Sequence, residues 1–317
     1  MRHIDPMVRL LLLAIFLATV LPVGGRWVGI AQFVSNAAVF LLFFLNGLRL
    51  PRREVIAGIG KWRLLLPLVL FVYVAMPAAG WLLWQGTAQV LPPLLALGFL
   101  FLGTLPSTVQ SATAYTSLAA GNVASSVVAA ALLNIIGVFL TAPLFSLLAG
   151  SQAASFDGAG LIKVMTILLL PFALGQALQG ALGGWVAGHR QLITWTDRSS
   201  IAIAVYVAFS SAVRQGIWGR IDVAGWTGLV VACAVMLVFG YGVSWLAGRA
   251  IGLERGDRIA MMFAGAQKSV AMGAPLATVL FPPVAAGLIL LPTLAYHLAQ
   301  LIVAAPLAAR LKARAPT

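Results

Sequence analysis

Cysteine occurs once, at Cys233, and charge is scarce: 9% of residues are Asp, Glu, Lys or Arg, and seven residues are acidic. A single cysteine excludes an internal disulfide and any cysteine-based metal-ligand spacing. So low a charge content excludes an ordinary soluble domain, in which about a quarter of residues are charged. Asp5, Glu54, Asp157, Asp197, Asp222, Glu254 and Asp257 all fall in predicted loops or at the N-terminus. None falls within an apolar segment. That absence argues against intramembrane aspartyl proteolysis, against a metal-dependent transferase built on acidic motifs, and against a cation site that needs a buried carboxylate. No Ser–His or Cys–His pair is recognisable among the polar residues of the apolar segments, so no enzyme, cofactor or metal centre is expected.

Apolar sequence is abundant. Hydrophobic residues make up 62% of the chain and the mean hydropathy is +1.03, the composition of a polytopic membrane protein. A net charge of +13 would suggest nucleic acid in a soluble chain. Here the basic residues lie between apolar segments and read as topology signals. Apolar segments run over 7–23, 30–48, 64–84, 91–119, 123–149, 160–181, 199–217, 225–247, 259–281 and 284–308. Each is long enough for a helix across a ~30 Å core. Arg2 to Arg9 followed by a leucine run mimics a signal peptide but lacks a small-residue cleavage site, so it is read as the first helix. One face of the membrane receives Arg2, Arg9, Arg49, Arg52, Arg53, Lys61, Arg63, Arg190, Arg198, Arg249, Arg255, Arg258, Arg310, Lys312 and Arg314; the other receives Arg26, Lys163, Arg214 and Arg220. The excess marks the cytoplasmic face, which places both termini there. Loops are short throughout.

The expected fold is therefore an all-α membrane protein of about ten transmembrane helices, and five plus five gives two inverted repeats. The fourth segment carries Leu105-Pro106-Ser107-Thr108-Val109-Gln110-Ser111-Ala112-Thr113 and the ninth Ala266-Gln267-Lys268-Ser269-Val270. Each puts a Gln and further polar residues inside a run interrupted by Pro or Gly, the pointer to a binding site near the midplane. A fainter echo links Asn46 and Arg49 with Ser211 and Arg214. Lys268 stands near the middle of its segment, where an ammonium costs about 3 kcal/mol on insertion scales, and Gly265, Gly273 and Pro275 weaken the helix around it. It either binds an anionic substrate or occupies the place of a coupling cation; the bland alternative is a structural lysine satisfied by neighbours or snorkelling to an interface. Gln110, Ser111, Thr113, Thr116, Gln267 and Ser269 offer groups for a carboxylate or sulfate, and equally for interhelical hydrogen bonds. Asn122 reads as a turn residue and cap, Ser126 and Asn134 share one helix face, and His297 is either a proton relay or a satisfied core group.

Leu105–Ser111, continuing through Thr116 to Gly121-Asn122-Val123-Ala124 and Asn134–Thr141, resembles the bile acid:sodium symporter superfamily. More narrowly it resembles the branch of its seventh mammalian member and bacterial relatives. Ala266-Gln267-Lys268-Ser269, with Gly273 and Pro275, and Phe44–Leu50 fit the same branch. The resemblance implies ten helices with the fourth and ninth unwound and crossing, in an inner membrane. It also implies a panel domain (1–63 and 159–222), a core domain (64–158 and 223–317), and transport by motion of one against the other. The cation site of sodium-coupled members is altered: Phe263 replaces a glutamate, Lys268 an asparagine and Ala130 a threonine, while Ser126 is retained and Ser111 is followed by Ala112. Residues equivalent to the cation site or its coupling machinery are thus Lys268, Gln267, Ser111, Asn122, Ser126, Asn134 and His297, and the substrate set is Gln110, Ser111, Thr113, Gln267, Lys268, Ser269 and Asn46. The resemblance implies a carrier of small organic anions, with the Lys268 ammonium in place of sodium and protons as a candidate coupling ion. The alternative is a membrane-embedded regulator or scaffold with little transport of its own.

Overall fold

Prolines and polar breaks punctuate the apolar runs, and in the computed structural model each run becomes helix. The structure describes residues 6–49, 59–150, 158–216, 219 and 221–314, and in the helix that begins at 158 the side chains only from 166 onward. Arg2, Asp5, Arg52, Arg53, Glu54, Asp157, Arg220 and the side chain of Lys163 lie outside the described residues. The helices are α1 (Pro6–Val20), α2 (Trp27–Arg49), α3 (Trp62–Thr87), α4 (Pro93–Thr104), α5 (Val109–Leu118), α6 (Val123–Ala149), α7 (Gly158–Gly188), α8 (Arg190–Arg214), α9 (Val223–Ala250), α10 (Arg255–Ala266), α11 (Val270–Leu280) and α12 (Pro283–Ala313). Among the described residues there is no strand. Proline opens α1, α4 and α12, where its missing N–H would have had no partner anyway. In α3 the turn Phe71–Ala75 widens to a π-helix, with Met76 N–H bonding Phe71 O, because Pro77 has no N–H to give the Tyr73 carbonyl.

Six helices are long and apolar enough to cross a membrane: α2, α3, α6, α7 over Thr166–Gly188, α9 and α12. The pair α4 and α5, bent by 64° at its break, makes a seventh. Large apolar side chains stand exposed on several of them, among them Phe33, Val238, Leu147 and Ile302. Two expectations need correction. Asp197 and Asp257 are helical rather than in loops, and α8 begins at Arg190, nine residues before the apolar segment 199–217. Hydropathy registers apolar length and is blind to a polar helical turn.

Contacts divide the chain into two compact units: 1–50, 149–222 and 271–290 form one, and 51–148, 223–270 and 291–317 the other. In the first, α2 packs on α7 and α8, and α1 on α8. The α2 and α7 backbones touch through glycine: a Cβ on Gly47 would stand 2.2 Å from Phe172 O, and one on Gly175 2.1 Å from Phe44 O. Arg49, at the end of α2, forms an ion pair with Asp197 on α8. Burial pushes the Asp197 carboxyl up, and the Arg49 guanidinium offsets only part of that shift.

In the second unit α3 packs on α4 and α9, and α10 on α5, α9 and α3. Gly80 and Gly103 bring α3 and α4 together, since a Cβ on Gly103 would lie 2.7 Å from Met76 O. The core holds Phe99, Phe101, Phe145, Phe263 and Tyr296, all fully buried, with Phe101 edge-on to Phe145 at 5.8 Å.

Candidate functional site

Two helix breaks of the second unit meet. The first is made by Pro106, which forces the preceding Leu105 out of the helical region to φ −70°, ψ 146° and ends α4 at Thr104. The chain stays extended over 105–108 and turns helical again at Val109. The second lies between α10 and α11, where Gln267 is extended at φ −74°, ψ 131°. No proline sits at that break, and it is held open by its partners. Ser269 N–H donates to Pro106 O at 3.0 Å, and Thr108 Oγ1 donates to Lys268 O at 2.8 Å.

Helix breaks free carbonyls, and in an apolar interior each must find a donor. Here the tally is complete from Gly103 to Thr108. The Lys268 ammonium donates to Gly103 O at 3.0 Å and to Leu105 O at 2.7 Å. Thr104 O accepts from Thr141 Oγ1 at 3.2 Å, Pro106 O from Ser269 N–H, Ser107 O from Asn134 Nδ2 at 2.9 Å, and Thr108 O from Ala112 N–H at 3.2 Å. Lys268 is 1% exposed. Its amine rests at the C-terminal end of α4, where the helix dipole is negative and carbonyls without intrahelical partners cluster.

The backbone of Lys268 is clamped from α12. Gln300 Oε1 accepts from Lys268 N–H at 2.8 Å, and Gln300 Nε2 donates to Lys268 O at 3.1 Å. Gln300 Nε2 also stands 2.8 Å from His297 Nδ1. Gln267 is fully buried; its Oε1 accepts from Ser111 Oγ at 2.7 Å and its Nε2 donates to Tyr241 Oη at 2.9 Å. Tyr296 Oη donates to Ala266 O at 2.7 Å. Phe263 is fully buried, stacked on Tyr115 at 5.8 Å and edge-on to Tyr241 at 6.0 Å.

The structure thus joins Ser111, Gln267, Lys268, Ser269 and Asn134 around the two breaks. Ser126 is buried with its Oγ 3.3 Å from Thr116 Oγ1. Gln110 stands exposed in the first turn of α5, and the buried Oγ1 of Thr113 has no hydrogen-bond partner. Asn46 is half-buried on α2, in the other unit. Asn122 lies elsewhere: it caps α6 through Ser125 N–H at 3.1 Å and donates to Asp257 Oδ1 at 2.8 Å. Asp257 lies in the first turn of α10, about 14 Å at helical rise from Ala266 at the other end of that helix. Ser125 Oγ bridges Asp257 Oδ1 and the Lys61 ammonium, at 2.6 Å from each. The echo of Asn46 and Arg49 in Ser211 and Arg214 does not extend to contacts, since Arg49 pairs with Asp197 while Arg214 donates to Val23 O at 3.3 Å.

Sequence reasoning missed Gln300, Tyr241 and Thr108. Gln300 had a signal: an amide in an apolar run, three residues after His297 and so on the same helix face. Tyr241 had none, because a tyrosine in an apolar helix reads as core.

Known proteins resemble this chain over most of its length. The chain matches the SBF-like CPA transporter family over residues 5–313. It is 40% identical over 301 residues to an uncharacterized protein of Pseudomonas aeruginosa, covering 95% of this chain and 90% of that one. It is 38% identical over 312 residues to YfeH of Escherichia coli, named as a candidate symporter, covering 98% and 94%. To the sodium/bile acid cotransporter 7 of Mus musculus it is 24% identical over 292 residues, covering 88% and 83%. The chain belongs to the SBF-like CPA transporter family.

Proposed function

We infer that this protein is a secondary transporter of small organic anions that works without sodium. The observation that carries the reading is the buried Lys268 ammonium bound to the carbonyls of Gly103 and Leu105. Unwound carbonyls and half-helix C-termini are where secondary transporters coordinate a coupling cation. A sodium ion placed 4 Å from that ammonium would be repelled by about 4 kcal/mol even at an effective dielectric of 20. The tethered charge does the work of the ion and cannot leave with substrate.

In this reading ten helices in two inverted repeats span a bacterial inner membrane with both termini cytoplasmic. A core (64–158 and 223–317) moves against a panel (1–63 and 159–222) to give alternating access. Gln110 and Thr113, beside the break before α5, supply polar groups for a carboxylate or sulfate. Ser111, Gln267 and Ser269 hold the crossing in shape.

The test is uptake of labelled carboxylates and sulfate conjugates into proteoliposomes, with sodium replaced by choline. Flux should be unchanged, and Lys268→Ala should abolish it. A large, saturable loss of flux on sodium removal would sink the proposal.

A further inference from the structure

We propose that Arg258 and Trp245, with Arg249 beside them, form a binding site for the phosphate of an anionic phospholipid whose acyl chain lies along α9. The site is separate from the crossing of the two helix breaks and needs neither substrate nor sodium. All of its residues belong to the second unit.

Arg258 is the fourth residue of α10, and its side chain lies across α9. A Cβ on Gly248 would stand 3.2 Å from Arg258 Cγ, so the glycine makes room for the arginine stem. The guanidinium Cζ then comes to rest 4.6 Å from the centroid of the Trp245 ring, one turn back along the same face of α9. Contact with the indole face holds the guanidinium in place without using its N–H groups.

The chain supplies no acceptor for those groups. A guanidinium carries five N–H donors in a fixed fork and stays charged. Arg258 Nε is buried with no acceptor, and no group among the described residues accepts from its Nη atoms. Glu254, one turn earlier, is exposed and makes no ion pair with it, while Asp257 Oδ1 accepts from Asn122 and Ser125. By contrast, Arg255 donates to Ala120 O at 3.3 Å and to Leu311 O, and the Lys61 ammonium to Ser125 Oγ. A planar fork without a protein acceptor fits the two oxygens of a phosphodiester.

Depth and surroundings decide where that phosphate comes from. The helix α9 is apolar and long enough to span a membrane, and Trp245 lies about 7.5 Å at helical rise inside its end at Ala250. An indole at that depth sits where headgroups meet acyl chains. Arg249 is exposed, one turn on from Trp245 and on the same face. Val231 precedes Arg249 by about five helical turns and so shares its azimuth. Between them Val235 and Val238 are 51% and 75% exposed, and a Cβ on Gly242 would meet nothing within 4 Å. An exposed apolar strip about 27 Å long thus ends at two guanidiniums. An acyl chain covers the strip while the phosphate meets the fork; a soluble phosphate would use the fork alone.

Native mass spectrometry of the purified protein, titrated in detergent with phosphatidylglycerol or phosphatidylcholine of identical chains, reads the first lipid bound. Wild type should bind phosphatidylglycerol about tenfold more tightly, as expected of a charge-assisted hydrogen bond. Arg258→Gln should abolish that preference, and Arg249→Gln should reduce it about fivefold. Arg190→Gln, the same charge change at an exposed arginine of α8, should leave it intact. Glycerol 3-phosphate in about tenfold excess over lipid should displace little of it, because it has no chain to lay along the strip. Equal binding of the two lipids, or full displacement by glycerol 3-phosphate, would overturn the lipid site, and both are read on wild-type protein whether or not a variant folds. An equal loss in Arg190→Gln would overturn it too, by making the preference a property of net charge. Sodium dependence of flux would sink the transport reading while leaving these outcomes untouched.

Discussion

On the sodium-independent reading proposed above, removing the Lys268 amine should make the protein's stability respond to sodium. In Lys268→Ala the carbonyls of Gly103 and Leu105 lose their one donor among the described residues. Each buried carbonyl left without a partner costs about 1–3 kcal/mol, so the variant should melt well below wild type. The same truncation opens space at two carbonyl oxygens and removes a repulsion of about 4 kcal/mol, roughly a thousandfold in ion affinity. If the emptied position binds sodium near 1 mM, then about 100 mM sodium contributes about 2.7 kcal/mol, whereas an intact ammonium moves that affinity to about 1 M and leaves almost nothing. Thermal unfolding in detergent, followed by tryptophan fluorescence in equal concentrations of sodium or choline chloride, separates the two. Wild type should melt at the same temperature in both salts, and Lys268→Ala a few degrees higher in sodium. Equal sodium stabilisation of the two proteins would refute the idea that the ammonium excludes the ion.

Other perturbations test the supporting frame. Asn134→Leu strips the donor from Ser107 O at nearly constant volume and should lower stability by about 1–3 kcal/mol, together with transport, as read by melting and flux. Gly103→Ala would force a Cβ to 2.7 Å from Met76 O; the strain of about 1–3 kcal/mol should lower the melting temperature and displace the carbonyl that holds Lys268. For Asp197 the folded carboxyl titrates above its unfolded value, so the folded state binds the proton more tightly. Its contribution therefore favours the fold at pH below about 4 and turns against it as pH rises through the raised value. Arg49→Ala removes the offsetting charge and should steepen the fall in melting temperature as pH rises above about 4.

Much of this architecture was legible because membrane helices announce themselves by length and apolarity. The meeting of 105–111 with 267–269 was legible for a related reason: Pro106 and the polar run Gln267-Lys268-Ser269 each spoil an apolar segment at about the same depth. The parts that escaped are those in which one polar residue is neutralised by another far away in sequence. Asp197 reads as a loop residue until Arg49 is seen beside it, and Gln300 reads as an isolated amide until its partner proves to be the backbone of residue 268, which has no sequence signature at all. Asn122 shows the reverse limit. Its cap role follows from local sequence, but its second bond, to Asp257, depends on how α6 and α10 start side by side.

The accounting at the first break also bears on energy coupling. A carrier driven by an ion must release that ion on the far side, but the cation at Gly103 and Leu105 is bonded to the chain. On the reading proposed above, what this chemistry can exchange is a proton. If one proton accompanies each monoanion, a pH difference of one unit between vesicle interior and medium should set an accumulation ratio approaching tenfold, since each unit is worth about 1.4 kcal/mol. The cycle would be electroneutral. By contrast, a carrier moving the anion alone would follow membrane potential, about 2.3 kcal/mol per 100 mV or roughly fiftyfold. Proteoliposomes with potassium-valinomycin potentials and imposed pH gradients distinguish these directly. Accumulation that tracks pH and ignores potential is the expected result. Accumulation that tracks potential alone would make Lys268 a fixed counter-charge and remove the proton from the mechanism.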